Sequence, residues 1–446
     1  MDKNAMMIKL TREAFEKGVF SGTWLYAENG EIVSKGAVGF CDPAGVIPVR
    51  EDTLFDIGSV SKPMTATAIM LLVRDGLLTL DDAITDHFPE IPYTGVKIRH
   101  LLTHTSGLPD YIPYFMSLIT EGGGIPDNSA VLPFLKDCGE PAHFAPGDGW
   151  EYCNTGYALL AMLTEKLSGM PFSEFLKKRV FEPSGMTNTL LIHRIKDGLT
   201  IENLALGQVF EDGEWKLAEQ SRWKDVVAGM DGTDGAGYVK SSILDLYAWD
   251  RALRSCSLLT EEEQETMTEP VRLNNGEIGN GYGFGWGLMP DDDGNIVAFH
   301  TGYLPGYTAL IKRWLDRDAV LITLCDRDHT DARAYNGFVT GLDAIISGEE
   351  PKPLIALEDI AISEPVRTNW ESFCGRYEMN DEDLMIEEVM LKDGELFASV
   401  LDELGGKEIV RLYPLGDNVF GRKAGMAKLT FRDGVMMIND LPCKKL

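Results

Sequence analysis

Apolar and polar positions change period several times along the chain, and the changes mark out its elements. Residues 5–17 carry apolar side chains at helical spacing and predict an amphipathic helix. Two strand-like runs follow, residues 23–27 and 31–40, on either side of Glu28-Asn29-Gly30. Asn-Gly between such runs predicts a β-hairpin, because a tight primed turn needs positive φ at both central positions. After Phe55-Asp56-Ile57-Gly58-Ser59, a dense apolar stretch over residues 64–76 predicts a helix stopped by Gly76. From about residue 80 to 230 the pattern is helical with loops and few convincing strands. Residues 156–169 and 172–185 read as successive helices, each ended by glycine. Residues 243–255 give a further helix. In 282–290 glycine alternates with large residues, which reads as a strand that another backbone or ligand approaches closely. Residues 297–302, 307–315 and 319–326 read as strands, the last two joined at Asp316-Arg317-Asp318.

Strands at both ends with helices between predict an α+β domain over residues 1–350. It consists of an antiparallel β-sheet flanked by helices, with an inserted all-helical region at about 80–230. Residues 348–365 are rich in proline and glutamate, and 351–365 read as a linker. Residues 366–446 alternate short strand-like runs with turn signals at Lys392-Asp393-Gly394 and Arg432-Asp433-Gly434. They predict a small C-terminal all-β domain, a sandwich or barrel.

A length of 446 residues agrees with a large domain plus an appendage. Lys plus Arg total 41 against 70 for Asp plus Glu, a formal net charge of −29. Such a field repels nucleic acid and anionic lipid, so neither is expected as a partner. No apolar stretch has the length of a membrane span. Charges break up the first residues, so no secretory signal is expected. The seven cysteines are scattered without a CxxC pair, which suggests no disulfide framework and no zinc knuckle. Reduced thiols and a cytoplasmic setting are the expectation.

Three short motifs carry candidate chemistry. In Gly58-Ser59-Val60-Ser61-Lys62-Pro63, proline suits a first helical turn. Ser59 and Lys62, three residues apart, then share one face, whereas Ser61 points elsewhere. A serine at a helix start with an amine one turn away suits a nucleophile and its base. Bringing a lysine from about 10.4 to near 7 takes roughly 4–5 kcal/mol. A helix terminus supplies only about 0.3–1 kcal/mol, or about 2 in a favourable site. Burial, further polar partners, or a second proton-handling residue must therefore help. In Tyr152-Cys153-Asn154, alternate residues face the same way if the backbone is extended, so a phenol and an amide can share one cavity. The bland reading is a helix cap at Asn154 or Thr155 with Tyr152 as packing. In His300-Thr301-Gly302, a strand with glycine beside a reacting centre can offer a backbone N–H to an oxyanion. The bland reading there is a hairpin-edge histidine.

Other chemistries are excluded. His100 and His104 stand at helical i, i+4 spacing, but Leu101 occupies the position of a catalytic glutamate, so the pair is expected to be structural. No GxSxG elbow occurs. The glycines at 283–287 lack a phosphate loop's lysine. The methionine-rich helices read as core.

Taken together and in this order, Ser59-Val-Ser-Lys62, Tyr152-Cys-Asn154 and His300-Thr-Gly302 resemble the three active-site motifs of the penicillin-binding serine hydrolases. That group includes class C β-lactamases, DD-carboxypeptidases, D-aminopeptidases and related esterases. The flanks FDIGSVSKP, LLTHTSGLPDY, FAPGDGWEYCNTGY and HTGYLPGY agree, and the resemblance covers roughly residues 5–350. It implies a β-lactamase/transpeptidase-like fold with a lipocalin-like C-terminal β-barrel. It implies an acyl-enzyme on Ser59, with Lys62 and Tyr152 sharing base and acid duties. It implies substrate orientation by Asn154, His300, Thr301 and Gly302, and an oxyanion hole from the backbone N–H groups of Ser59 and Tyr303. His300 stands where many β-lactamases carry lysine, which favours small D-amino-acid peptides or amides over β-lactams as substrates. A carboxylesterase, a weak β-lactamase and a penicillin-recognising scaffold with little turnover are the alternatives. Small-molecule or short-peptide substrates are the implied partners, with β-lactams among the potential acylating ligands. No metal and no cofactor is called for.

Overall fold

The computed structural model describes residues 2–120, 122, 124–211, 214–291, 294–327, 332–354, 370–378, 385–392, 395–401, 407–416, 419–422, 428–432, 435–438 and 441–445. Of the expected linker only residues 351–354 are described, and Asp393-Gly394 and Asp433-Gly434 lie outside the described residues. The chain divides into two compact units, Ser21–Asp328 and Met1–Phe20 with His329–Leu446.

In the first unit, β1 (Gly22–Glu28) and β2 (Glu31–Val38) form the expected hairpin. Asn29 and Gly30 turn it with φ of 54° and 77°. Three longer helices follow among shorter ones: α1 (Lys62–Arg74), α2 (Asn154–Ser168) and α3 (Ile243–Arg254). The chain then returns as β3 (Gly287–Pro290), β4 (Ile296–Leu304), β5 (Tyr307–Trp314) and β6 (Ala319–Cys325). These six strands make one antiparallel sheet in the order β2-β1-β6-β5-β4-β3. The earliest hairpin and the latest strand pair within it, with Gly22 opposite Cys325. Every residue of β6 is buried. A strand covered on both faces needs a nearly continuous apolar run, and AVLITLC, interrupted only by the buried Thr323, supplies one.

Between the sheet's two halves of sequence, helices dominate, and α1 packs on α2. Lys62 through Leu72 are all buried, so α1 is a core helix rather than an amphipathic surface one. The helical periodicity does not signal two small additions. One is a hairpin of Gln208–Glu211 with Glu214–Leu217. The other is a three-stranded patch in which Val239–Ser241 pairs with both Phe55–Asp56 and Leu190–Leu191.

The strand expected over residues 282–290 is shorter than its pattern suggests, for only Gly287–Pro290 is extended and paired as a strand. Gly285 has φ +75°, and a Cβ there would lie 2.8 Å from the Pro63 backbone. The glycines do mark a close backbone approach, but that approach bends the chain out of the sheet.

In the second unit, helices Lys3–Glu16 and Ala332–Ile346 pack together. The described strands from Gly375–Glu378 to Leu441–Lys445 pair successively and antiparallel. The last pairs back onto the first through Tyr377 and Lys445, so the strand order closes on itself. Trp370, Phe373, Tyr377, Leu396, Leu412 and Phe431 form the heart of its apolar core. Among the described residues, no helix is long and apolar enough to cross a membrane.

Candidate active site

Gly58–Ser61 forms a single tight 3-10 turn that runs into α1 at Lys62, with Pro63 in the first helical turn. In a 3-10 turn, residues i and i+3 eclipse one another. Lys62 Nζ accordingly lies 3.0 Å from Ser59 Oγ. Ser61 turns away and serves the turn itself. Its Oγ donates to the Gly58 carbonyl at 2.7 Å and accepts from the Val239 N–H at 3.3 Å.

Strand β4 lies directly against this turn, and glycine makes that approach feasible. A Cβ on Gly302 would sit 1.9 Å from the Ile57 carbonyl oxygen and 3.2 Å from Ser59 N. A Cβ on Gly58, whose φ is +49°, would sit 2.9 Å from Tyr303 N. The backbone nitrogens of Ser59 and Tyr303 thus meet where turn and strand touch. Thr301 and Tyr303 are exposed along this edge.

Lys62 is fully buried. Besides Ser59 Oγ, its ammonium donates to Asn154 Oδ1 at 2.9 Å and to the Ala236 carbonyl at 2.8 Å. Each of its three N–H bonds has a neutral acceptor, and among the described residues no carboxylate touches it directly. Burial pushes its pKa down to about 7, against partial opposition from the Asp110 charge. The helix terminus is too weak to produce such a shift, and desolvation supplies it.

Asn154 is the first residue of α2. The cap position falls on Cys153, which is extended and makes no side-chain cap bond. The cap comes from another segment: Asp110 Oδ2 accepts the Asn154 backbone N–H at 2.6 Å and its side-chain Nδ2 at 3.1 Å. Thr155 closes the same junction. Its Oγ accepts from Tyr111 N at 2.9 Å and donates to the Pro109 carbonyl at 2.9 Å. The helix-cap alternative for Asn154 and Thr155 is therefore replaced by a tertiary cap, and the Asn154 amide is left to face Lys62.

The extended backbone at Cys153 separates Tyr152 from Asn154, yet both reach the lysine. The Tyr152 ring centroid is 4.6 Å from Lys62 Nζ, and that of Tyr157 is 5.4 Å away. His104, with φ 60°, is buried beneath this face. Its ring centroid lies 4.3 Å from that of Tyr152. Its Nδ1 accepts the Cys153 N–H at 3.1 Å. Desolvation first, then the nearby Lys62 charge, holds His104 well below the usual histidine range. His100, by contrast, sits on the short helix Ile98–Leu102, where its Nδ1 accepts the Lys97 N–H.

His300 is buried on β4. Its Nδ1 lies 2.6 Å from the Thr301 carbonyl and its Nε2 lies 2.9 Å from Tyr282 Oη. A carbonyl only accepts, so Nδ1 carries the proton and Nε2 accepts from the tyrosine. Burial and the Lys62 charge press its pKa down to about 3, so the imidazole is neutral.

Ser59, Asn154 and the Tyr152 ring thus meet around Lys62, and Gly302 brings β4 against the Ser59 turn. Sequence reasoning missed Asp110, the Ala236 carbonyl and the supporting role of His104. Asp110 lies inside the segment LLTHTSGLPDY, so its signal was visible but had no partner attached. The Ala236 carbonyl had no residue-type signal, because any residue provides one. Among the described residues, no group of three His, Cys, Asp or Glu side chains is arranged to hold a metal ion.

A protein-family model described as Beta-lactamase matches residues 8–342. Penicillin-binding protein 4* of Bacillus subtilis (strain 168) is 35% identical over 336 residues, which are 75% of this chain and 74% of that protein. Esterase EstB of Burkholderia gladioli is 34% identical over 363 residues, covering 69% of this chain and 86% of the esterase. The crystal structure of D-amino acid amidase from Ochrobactrum anthropi SV3 complexed with D-phenylalanine superposes with a TM-score of 0.64 at 25% identity. It covers 78% of this chain and 99% of that one.

Proposed function

The chain belongs to the beta-lactamase family and is a serine hydrolase; from that premise we propose that it forms an acyl-enzyme on Ser59 and hydrolyses small amides of D-amino acids. The observation that carries the mechanism is the fully buried Lys62 amine, 3.0 Å from Ser59 Oγ and brought down to about 7. An amine that is substantially neutral at pH 7 can take the serine proton, where an ordinary lysine cannot. Ser59 attacks the substrate carbonyl as its proton passes to Lys62, and the backbone N–H groups of Ser59 and Tyr303 hold the oxyanion. Tyr152 shares proton transfer to the leaving group. Asn154, His300, Thr301 and Gly302 orient the substrate. Water then attacks the ester carbonyl, and Ser59 leaves with its proton restored.

The D-amino-acid preference rests on the likeness to the D-amino acid amidase and on the neutral His300. An imidazole without charge offers no ionic partner to a substrate carboxylate, which suits amides better than carboxylate-bearing β-lactams. A second reading, carboxylesterase, is favoured by the identity to esterase EstB. We further read residues 366–446 as a small β-barrel domain after a linker at 351–365, on the support of the closing strand order. The free thiols at Cys41, Cys153 and Cys325 support a reducing, cytoplasmic setting.

Wild type and Ser59→Ala, tested on D-amino-acid amides, D-Ala-D-Ala peptides, nitrocefin and short p-nitrophenyl esters, separate these readings. The expected result is Ser59-dependent turnover with the highest kcat/KM on the D-amino-acid amides. Turnover of esters alone would select the carboxylesterase, and a stable penicillin adduct without turnover would select a binding scaffold. Absence of any Ser59-dependent adduct would remove the acyl-enzyme reading.

A further inference from the structure

Asp110 touches neither Ser59 nor Lys62, yet it accepts three hydrogen bonds, two of them from Asn154, which contacts Lys62. Its Oδ1 accepts the Ile112 N–H at 2.9 Å, which anchors the carboxylate in its own loop. Its Oδ2 accepts both N–H groups of Asn154, backbone and side chain. An asparagine amide has one donor end and one acceptor end. With Nδ2 committed to the carboxylate, Oδ1 is the end that faces Lys62, at 2.9 Å. A carboxylate that accepts fixes the amide; a group that both donates and accepts would not. The chain Asp110···Asn154···Lys62···Ser59 therefore has a defined polarity from end to end.

We propose that Asp110 is a positioning residue that acts through Asn154, locking its amide oxygen onto Lys62 and setting the pH range in which that lysine serves as the base. The inference rests on the reading of Lys62 as the base for Ser59. The charged and titratable groups that face Lys62 are few. Asp110 favours its charged form. The Tyr152 and Tyr157 rings flank it. His104 and His300 are both held neutral by burial and by Lys62 itself. The Cys153 thiol is pushed up by burial and by Asp110, so it stays protonated. Asp110 is thus the anion that offsets part of the lysine's desolvation. Burial raises the pKa of Asp110 too, while its bonds from Ile112 and Asn154 and the Lys62 charge pull the other way. Tyr111, beside it, is raised and uncharged.

The sign of the effect separates this role from simple packing. Removing the Asp110 charge destabilises charged Lys62, so its pKa falls and the acidic limb of acylation moves to lower pH. Freeing the Asn154 amide lowers the plateau. Loss of packing would lower the plateau and leave the limb in place.

The test is the pH dependence of the p-nitrophenyl acetate burst in wild type, Asp110→Asn and Asp110→Glu, with Ser59→Ala as the blank. Asp110→Asn is expected to shift the acidic limb down by about one pH unit. Its plateau rate is expected to fall about tenfold or more. Asp110→Glu, which keeps the charge, is expected to retain the wild-type limb. Should Asp110→Asn fail to fold, Asp110→Ser keeps an oxygen for the Ile112 N–H and is read on the same limb. A limb that coincides with wild type in the charge-removing variant overturns the inference while leaving Ser59 chemistry intact. Absence of a Ser59-dependent burst in wild type overturns the base reading, and the inference with it.

Discussion

Two lysines are buried in the same unit, and their surroundings differ in one respect. Lys62 is fully buried and Lys240 is 2% exposed. Each is surrounded by oxygen. Lys240 donates to the carbonyls of Ile192 and Tyr238 and forms an ion pair with Asp56 Oδ2 at 3.1 Å. Lys62 has a carbonyl, an amide and a hydroxyl, and its carboxylate stands one residue removed behind Asn154. Burial alone therefore does not make a lysine reactive. Direct contact with a carboxylate compensates the buried charge, while neutral acceptors leave desolvation to dominate. The two are linked by structure as well as contrast. Asp56 also accepts the Gly58 N–H at 3.0 Å, so the structural pair holds the turn that presents Ser59.

On the proposed function, Lys62 serves activity and Lys240 stability, and substitutions can break that contrast. The largest effect is expected from Lys62→Met, with acylation of Ser59 reduced by roughly 10³–10⁴-fold, the upper range for a lost general base. Burst kinetics measure it, and a loss under tenfold would remove Lys62 from the role of base. Lys240→Met is expected to act on folding. It leaves Asp56 buried without its partner, at a cost of about 3–5 kcal/mol in denaturant unfolding. The double variant Asp56→Asn/Lys240→Met should recover much of that loss, and a stability loss equal to the single variant's would contradict the ion-pair account.

A smaller effect sharpens the same comparison through pH. The folded-state pKa of Lys62 is near 7 and the unfolded value near 10.4. Between these values the unfolded chain binds more protons, so the Lys62 contribution to stability rises with pH across that window. Lys62→Met should flatten that rise, and an unchanged slope in unfolding free energy from pH 7 to 10 would argue against a depressed lysine. The smallest effect is expected from Ser61→Ala. It removes one hydrogen bond within the turn and one from the Val239 N–H, for a loss of about 1–2 kcal/mol. The acylation rate should change only a few-fold, and a loss as large as that of Lys62→Met would make Ser61 the nucleophile candidate again.

Legibility followed the range of each interaction. The β1–β2 hairpin was readable because Asn29-Gly30 states its own turn geometry. Helix α1 was readable because its apolar run is contiguous and its proline marks the start. The strand over 282–290 was overcalled because Gly285 is bent by the Pro63 backbone, more than two hundred residues earlier in the chain. The pairing of Val239–Ser241 with Phe55–Asp56 left no signal in a stretch read mostly as helices and loops. Within the site, Ser59 and Lys62 were separable from Ser61 by helical spacing alone. Asp110 was not, since an aspartate after proline in a loop looks like any turn residue until Asn154 is brought against it.

The sequence by itself determined which atoms are available: a hydroxyl and an amine three residues apart, a phenol and an amide on alternate positions, and a glycine that lets a strand approach. Those facts depend on local geometry, where spacing fixes direction. Tertiary structure decided the proton affinity of the amine. The carbonyl of Ala236, the amide of Asn154 and the carboxylate of Asp110 all come from distant segments; burial among them lowers the lysine, and the Asp110 charge opposes part of that shift. Proton affinity depends on the surrounding dielectric and on the nearest charges, and neither is a property of sequence neighbours.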